Sequence, residues 1–303
     1  MKTVKLLFTI IGIHGCLAQT QEFNSINDAL RKPLEVKWLT PNCDELSILK
    51  DNVREFSNVE SLYLTGCSLT SLFNEINKLK NLKLLNVSNN MLAYLPKSLA
   101  SNDKIQVINL RNNIFRKIPS WLKNLKNLRE IDLSGNLELD LENVFLVLKE
   151  IDKLDFLYLS KNDLLKLPSE ISELKALEEL HIDNNPRLNL EDTFNLLCKL
   201  KSLRILNLSN NKIEYLPKQF ENLIELKGVV LDNNEKLNLS ILEQYCQKLN
   251  LEVLLLRQIN IKELPEKLQG FQNLKVLDLS GNQIPENERS RIKSILTKTN
   301  IVF

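Results

Sequence analysis

The sequence predicts an α/β solenoid, with a curved parallel β-sheet on the concave face and helices and 3₁₀ turns on the convex face. The main observation is the pattern Leu-x-x-Leu-x-Leu-x-x-Asn, which recurs in about ten copies over residues 59–284. Each copy supplies one strand and a return segment that cannot bury its own apolar face, so neighbouring copies must stack. The copies begin 23 to 26 residues apart, at Val59, Leu82, Ile105, Leu128, Leu154, Leu177, Leu203, Leu226, Leu251 and Leu274.

The alternation of residues within a copy assigns each side chain to one face of the strand. In the fifth copy, Leu157 and Leu159 are two residues apart, so both point toward the predicted core. Phe156 and Tyr158 point the opposite way, toward the concave face. The pattern therefore predicts one buried row and one displayed row along the whole sheet.

An asparagine follows the predicted strand in most copies. Its side chain can bond backbone groups of adjacent turns, which a buried turn requires. Cys67 and Ile259 take this position in two copies, and we expect the asparagine ladder to be interrupted at both. The other copies have Asn90, Asn113, Asn136, Asn162, Asn185, Asn211, Asn234 and Asn282.

Two kinds of copy differ in the segment that follows the asparagine. The shorter kind carries Leu-Pro or Ile-Pro, as in Leu95-Pro96 and Leu264-Pro265. Proline fixes φ and suits the first turn of a helix, so a short helical or 3₁₀ segment is expected after it. The longer kind has Asp140, Asn189 or Asn238 before an apolar-periodic run, which predicts capped, longer convex helices.

These phased copies resemble the leucine-rich repeat family over roughly residues 59–284. The resemblance implies a horseshoe of stacked strands whose concave face is a binding surface. In bacteria, exported proteins of this kind serve adhesion, host interaction or surface scaffolding, and the richness in Lys, Asn and Ile is typical of a low-GC bacterium.

Residues 1–18 are predicted to be a secretory signal peptide. Lys2 and Lys5 precede a short apolar stretch, and Cys16-Leu17-Ala18 supplies small residues at the cleavage positions. An alternative is lipidation of Cys16, because Ile13-His14-Gly15-Cys16 resembles a bacterial lipobox. No later stretch is long and apolar enough to predict a transmembrane span. The predicted localisation is secreted, or at the cell surface or outer envelope.

Atypical segments flank the repeats and are expected to cover the open ends of the core. Residues 19–58 form the predicted N-terminal cap, with a short helix over residues 26–30 and Trp38 covering the core end. Residues 285–303 form the predicted C-terminal cap, with an amphipathic helix over residues 286–297.

Cysteine spacing gives different predictions for two pairs. Cys43 and Cys67 fall near the same turn of neighbouring copies, so export would permit a disulfide between them. Cys198 and Cys246 lie two copies apart, which is about 10 Å at a strand spacing of about 4.8 Å. A disulfide needs Cα atoms within about 7 Å. We expect Cys198 and Cys246 to be unpaired core residues.

Composition and motifs exclude several classes of function. The 40 basic and 38 acidic residues give a formal charge of +2, without the basic excess of a nucleic-acid or anionic-membrane binder. His14 and His181 are the two histidines, and no Cys/His cluster, Gly-x-Ser-x-Gly motif or glycine-rich phosphate loop occurs. The sequence predicts no enzyme activity, no catalytic residue, no metal site and no cofactor.

The displayed row contains a mixed aromatic and charged patch near the centre of the concave face. Tyr158 and His181 are neighbours there, flanked by Phe156, Glu179 and Lys161. Aromatic side chains are frequent binding hot spots, so these five residues are predicted to bind a ligand. The alternative is an ordinary solenoid face on which single apolar residues carry no function.

A second candidate patch lies further along the same face. Val230, Val253 and Leu255, with Arg257 beside them, make this region more apolar than an exposed surface requires. The same two interpretations apply, ligand binding or an ordinary face.

The predicted function is an exported, non-enzymatic recognition module that holds a protein, or a glycan, against its concave face. A stacked sheet fixes side chains before binding and so lowers the ordering cost. The first alternative is a surface-anchored structural lipoprotein of the cell envelope. The second is an intracellular leucine-rich repeat adaptor, which requires that the N-terminal segment is retained.

Overall fold

The computed structural model describes residues 22–303, which form one sheet of 13 parallel strands in strict chain order. Each strand pairs in parallel with its sequence neighbours, and equivalent residues of successive copies lie side by side. The predicted α/β solenoid is confirmed. The strands are β1 (Glu22–Phe23), β2 (Trp38–Leu39), β3 (Ser61–Tyr63), β4 (Leu84–Asn86), β5 (Val107–Asn109), β6 (Glu130–Asp132), β7 (Phe156–Tyr158), β8 (Glu179–His181), β9 (Ile205–Asn207), β10 (Gly228–Val230), β11 (Val253–Leu255), β12 (Val276–Asp278) and β13 (Asn300–Val302).

The chain returns from each strand to the next through helical or 3₁₀ segments on the convex side. The α-helices are α1 (Ile26–Ala29), α2 (Leu46–Asn52), α3 (Leu141–Leu148), α4 (Leu190–Leu197), α5 (Leu239–Cys246) and α6 (Glu286–Ile295). The 3₁₀ segments are Pro33–Glu35, Cys43–Glu45, Val53–Glu55, Asn74–Lys78, Lys97–Ser101, Ser120–Asn124, Ser169–Glu173, Lys218–Asn222 and Gln269–Phe271.

The core lies between the sheet and the convex segments. The middle residue of each central strand, such as Leu85 or Leu157, is fully buried, and so are convex residues such as Leu122 and Ile171. One apolar cluster joins these residues from the N-terminal to the C-terminal part of the described chain. Each copy thus completes its core with atoms of its neighbours, as stacking requires.

The three longer copies have the capped helices that their sequences predict. The side chains of Asp140, Asn189 and Asn238 accept the backbone N–H three residues later, at the start of α3, α4 and α5. Each cap satisfies one of the N–H groups that the first helical turn leaves unpaired.

The shorter copies have 3₁₀ segments after Leu-Pro or Ile-Pro, as expected. Pro96 and Pro168 occupy the N-cap, in extended backbone, rather than the first helical position. In the copy with Pro265, the 3₁₀ segment starts later, at Gln269. There Glu243 of α5 accepts the backbone N–H of Gly270 at 2.7 Å and fixes the start of the turn.

The asparagine ladder holds the turns between strands and convex segments. Asn185 is fully buried, and its Oδ1 accepts the N–H groups of Asn162 and Leu164 in the preceding copy, at 3.0 and 3.1 Å. Its Nδ2 donates to the carbonyls of Leu159 and Ile182 at 3.1 and 3.0 Å. One side chain therefore pairs backbone groups of two copies that water does not reach.

The residue before the ladder position adopts the left-handed backbone conformation in every copy from β3 to β12. Gly66, Gly135 and Gly281 do so without steric cost, and asparagine tolerates it better than most residues. Lys161 adopts the same conformation, with a φ of 56°.

The ladder lacks its asparagine at Cys67 and Ile259, as expected. The Ile259 side chain is buried in the apolar cluster instead. The ladder resumes in the next copy each time, because Asn90 accepts the Cys67 N–H and Asn282 accepts the Ile259 N–H, both at 3.0 Å.

The N-terminal end differs from the prediction at Trp38. Leu39 is the fully buried residue of β2, so Trp38 points to the concave face, where it stacks on Tyr63 with ring centroids 5.5 Å apart. Trp38 therefore does not cover the core end, and the prediction is wrong. Alternation along the two-residue strand β2 places Leu39 in the core and Trp38 on the opposite face, and β1 continues the same sheet beyond β2.

A disulfide joins Cys43 and Cys67, with Cα atoms 5.2 Å apart, and ties the N-terminal segment to the third strand's turn. Cys198 and Cys246 are free thiols. Cys246 is buried, whereas Cys198 is partly exposed and not a full core residue. The predicted signal peptide over residues 1–18, with the lipidation alternative at Cys16, lies outside the described residues.

Replacing Asn185 by Ala leaves two N–H groups and three carbonyls of the turn without this partner. We expect the free energy of unfolding to fall by about 3 to 5 kcal/mol in urea denaturation. Asn127→Ala is the matched control, because the Asn127 amide makes one backbone bond at a part-exposed site, to Asp103. Equal losses in the two variants would contradict the role given to the ladder.

Candidate ligand-binding site on the concave face

The concave face presents the first and third residues of each three-residue strand, in two rows set by the sheet register. We call these the first row and the second row. From β5 to β9 the first row is Val107, Glu130, Phe156, Glu179 and Ile205. Over the same strands the second row is Asn109, Asp132, Tyr158, His181 and Asn207.

Asparagine and aspartate in the second row have a structural role. Their side-chain oxygens accept the backbone N–H two residues later, at 2.9 to 3.0 Å, which satisfies a donor of the turn. The residues that make this bond are Asn86, Asn109, Asp132, Asn207 and Asp278.

Tyr158 and His181 replace this turn-forming residue in two adjacent strands. The N–H of Ser160, which an aspartate or asparagine at position 158 would bind, is taken by Ser134 Oγ at 3.1 Å. The rings of Tyr158 and His181 pack with centroids 4.5 Å apart. The Ser160 N–H therefore has a partner without an acceptor at position 158, and the functional patch stays a prediction.

The imidazole of His181 is held at both nitrogens. Nε2 donates to Glu179 Oε1 at 2.6 Å, and Nδ1 accepts from Asn207 Nδ2 at 3.2 Å. The Asn207 amide can only donate through its nitrogen, so this pairing also fixes the tautomer. His181 is a buried, oriented hydrogen-bonding group whose nitrogens are both occupied.

Carboxylates dominate the electrostatics of the patch. Burial, and then the charges of Asp132 and Glu179, raise the pKa of Glu130 to about 7. Burial also raises the pKa of Asp132, although its bonds to Ser134 oppose this. Burial and the same three acidic groups raise the pKa of the Tyr158 hydroxyl. The acidic side chains thus converge on the tyrosine ring.

The flanking residues of the predicted patch have different positions. Glu179 is only 1% exposed, so it lies inside the patch and not at its rim. Phe156 is half-buried in the first row between Glu130 and Glu179. Lys161 is exposed in the turn after β7, outside both rows.

The second predicted patch is a small packed cluster. Val230, Val253 and Leu255 are 2%, 2% and 7% exposed and cover one another. Arg257 beside them donates from Nε and Nη2 to Asp232 Oδ2, at 2.8 and 2.6 Å. The apolar excess is thus explained by mutual burial, which favours the ordinary-face interpretation of this patch.

Sequence reasoning missed an apolar groove on the side of the solenoid. Tyr94, Ile114 and Leu137 line a groove of about 1090 Å³, and Leu137 also borders a second one of about 730 Å³ with Leu165. These side chains are more than half exposed. The available signal was an apolar residue just after the ladder position, as at Ile114 and Leu137.

Within residues 22–303 no three His, Cys, Asp or Glu side chains are placed to hold a metal ion. The central patch offers hydrogen-bonding groups, aromatic rings and carboxylates.

The arrangement as a whole is a parallel solenoid whose concave face carries preformed side-chain groups. The family model described as Leucine Rich Repeat matches residues 104–125, 202–223 and 273–295. With the sheet and the asparagine ladder, these matches support a leucine-rich repeat family. Such repeats indicate a protein-interaction module, and members of the family are generally non-enzymatic.

One matching solved structure is a leucine-rich repeat protein of Leptospira interrogans. It is 24% identical, and the match covers 93% of this chain and 100% of that one, with a TM-score of 0.38. The search of curated proteins found no match. In the described part of the chain, no helix has the length and apolar character needed to cross a membrane.

The raised pKa of Glu130 makes stability depend on pH. Ionising this carboxyl is harder in the folded than in the unfolded protein, so its contribution to stability is lost as pH rises from about 4.5 to 7. We expect Glu130→Gln to raise the free energy of unfolding by about 1 to 3 kcal/mol at pH 8, with little change at pH 4.5.

Urea denaturation at the two pH values measures this effect. Glu138→Gln is the control, because Glu138 is an exposed acid of the lateral surface. A Glu130→Gln protein whose stability gain is the same at both pH values would contradict the assignment.

Proposed function

We propose that the protein is an exported, non-enzymatic recognition module that binds a protein ligand on its concave face. The observation that carries the proposal is the pair Tyr158 and His181, which replaces turn-forming residues in the second row at the centre of the sheet. Both side chains are fixed before any ligand arrives, His181 by two hydrogen bonds and Tyr158 by ring packing. Such preorganisation lowers the entropy cost of binding.

The disulfide between Cys43 and Cys67 supports the export part of the proposal. Structural disulfides persist in oxidising compartments and are rare in the cytosol, where thiols are kept reduced. The disulfide also disfavours the intracellular adaptor. It does not distinguish a secreted protein from a surface-anchored structural lipoprotein, because both are exported.

The mass of the N-terminal peptide, in protein isolated from its native cells, separates these localisations. We expect cleavage after Ala18, which gives a free glutamine at position 19 and a secreted protein. A diacylated Cys16 would support the surface-anchored lipoprotein instead. Retention of residues 1–18 would support the intracellular adaptor.

Affinity capture tests the concave site. The protein is used as bait against envelope and cell-surface extracts, beside a Phe156→Ala/Tyr158→Ala/His181→Ala bait whose fold is checked by circular dichroism. We expect the unmodified bait to retain a partner at least about tenfold better than the triple-Ala bait does, because an aromatic hot spot contributes roughly 2 kcal/mol or more.

An Ile114→Ser/Leu137→Ser bait is the matched control, because these two side chains are exposed in the lateral groove and away from the concave rows. Loss of the partner from this bait, with retention by the triple-Ala bait, would move recognition to the side of the solenoid and end the proposal.

A further inference from the structure

The concave site contains a buried carboxylate oxygen without a partner. Glu179 is 1% exposed, and Oε1 is bound to His181 Nε2. Its Oε2 receives no hydrogen bond from any residue of the described chain. A buried acceptor in this state is rare, because it loses its water bonds and gains nothing in return. A ligand that brings a donor would complete it.

The acidic side chains around Glu179 exceed the basic ones. Glu130, Asp132 and Glu179 all lie near Tyr158, and the charge of each raises the pKa of the tyrosine hydroxyl. His181 is the basic group among them. The Glu130 carboxylate, like Glu179 Oε2, has no hydrogen-bond donor among residues 22–303.

Cations near the site are placed elsewhere. Arg129, the residue before Glu130, donates from Nε to Asp155 Oδ2 at 2.6 Å, at the edge of the strand. Arg111 is exposed and acts on Asp132, while Lys161 is exposed in the turn. The negative charge between β6 and β8 is therefore left for a ligand to neutralise.

Phe156 lies between the two glutamates in the first row, paired in register with Glu130 on one side and Glu179 on the other. Two strand spacings separate the glutamates, which is about 10 Å between Cα atoms. This leaves an aromatic surface with a carboxylate on each side. Aromatic faces attract cations, and the flanking carboxylates strengthen the attraction.

We infer that the site formed by Glu130, Phe156, Tyr158 and Glu179 binds a cationic side chain, the ammonium of lysine or the guanidinium of arginine, on the protein ligand. The inference rests on the proposed function and specifies its ligand chemistry. Lysine offers three N–H donors and arginine five, so one cation has donors for both glutamates. A metal ion does not meet these requirements, because no three ligating side chains of residues 22–303 are arranged to hold one.

Binding of a cation is coupled to the ionisation of Glu130. Asp132, Tyr158, Glu179 and His181 face this carboxyl from β6, β7 and β8, and its pKa of about 7 leaves it partly protonated at neutral pH. A cation favours the ionised form. Affinity should therefore rise as pH increases from 6 to 8.

The test uses two pentapeptides, acetyl-Gly-Gly-Arg-Gly-Gly-amide and its analogue with citrulline, the neutral isostere of arginine. Binding is followed by NMR shifts of labelled tyrosine and glutamate side chains, at pH 6 and pH 8. We expect the arginine peptide to bind about tenfold more tightly than the citrulline peptide, the ratio for one charge-assisted hydrogen bond. A lysine peptide and its norleucine analogue identify which cation is preferred, and either preference supports the inference.

Glu130→Gln and Glu179→Gln each keep the side-chain shape and remove a charge. If one variant does not fold, the other still tests the inference. Both variants should bind the arginine peptide about tenfold more weakly, and Glu130→Gln should remove the pH dependence of binding. Glu138→Gln, an exposed acid outside the site, should bind as the unmodified protein does. Equal binding of the charged and neutral peptides, or no binding of either, would overturn the inference.

The capture experiment separates this inference from the proposed function. One outcome is that the triple-Ala bait loses a partner that the Glu130→Gln and Glu179→Gln baits retain as well as the unmodified protein does. That result would support concave recognition and contradict the inference that the ligand contributes a cation. A partner lost only by the lateral-groove bait rejects the concave site itself.

Discussion

The architecture depends on the pairing of buried backbone groups at the turns, which the ladder asparagines provide. A solenoid of short strands turns twice in every copy, and each turn exposes N–H and C=O groups to a dry interior. An asparagine amide can donate and accept at once, so one side chain pairs groups of its own copy and of the copy before it, as at Asn136 and Asn185. Leucines can then pack on both sides of the turn without leaving polar atoms unpaired.

The sequence predicted most of this frame, because its signals are local and repeated. The repeat period predicted the strands. The residue types of Asp140, Asn189 and Asn238 predicted the longer helices. The ladder gaps at Cys67 and Ile259 were likewise visible as departures from the repeat. Such features depend on residues within one or two copies, so a single chain contains enough information to find them.

Features that depend on packing between rows could not be predicted in the same way. Alternation assigned Glu179 and Val253 to the concave face, but it could not tell that neighbours from adjacent strands bury both. Trp38 was misplaced because a two-residue strand offers too few positions to establish parity. The lateral groove around Leu137 could not be predicted because alternation along the strands says nothing about the exposure of residues in the turns. That Tyr158 and His181 replace turn-forming residues follows only from the bonds made by Asn109, Asp132 and Asn207.

The two gaps in the ladder divide the solenoid into segments whose copies are joined by different numbers of side-chain hydrogen bonds. Between Asn90 and Asn234 the asparagines follow one another without a gap, and the whole acidic and aromatic patch lies within that stretch. Beyond Asn234, Ile259 has no side-chain amide to bond the backbone of the preceding copy. Each copy contacts mainly its neighbours, so opening of the chain under tension would begin at weak junctions of this kind and stop at the continuous stretch. A pulled or partly cleaved molecule would lose its C-terminal copies first and keep its concave patch intact.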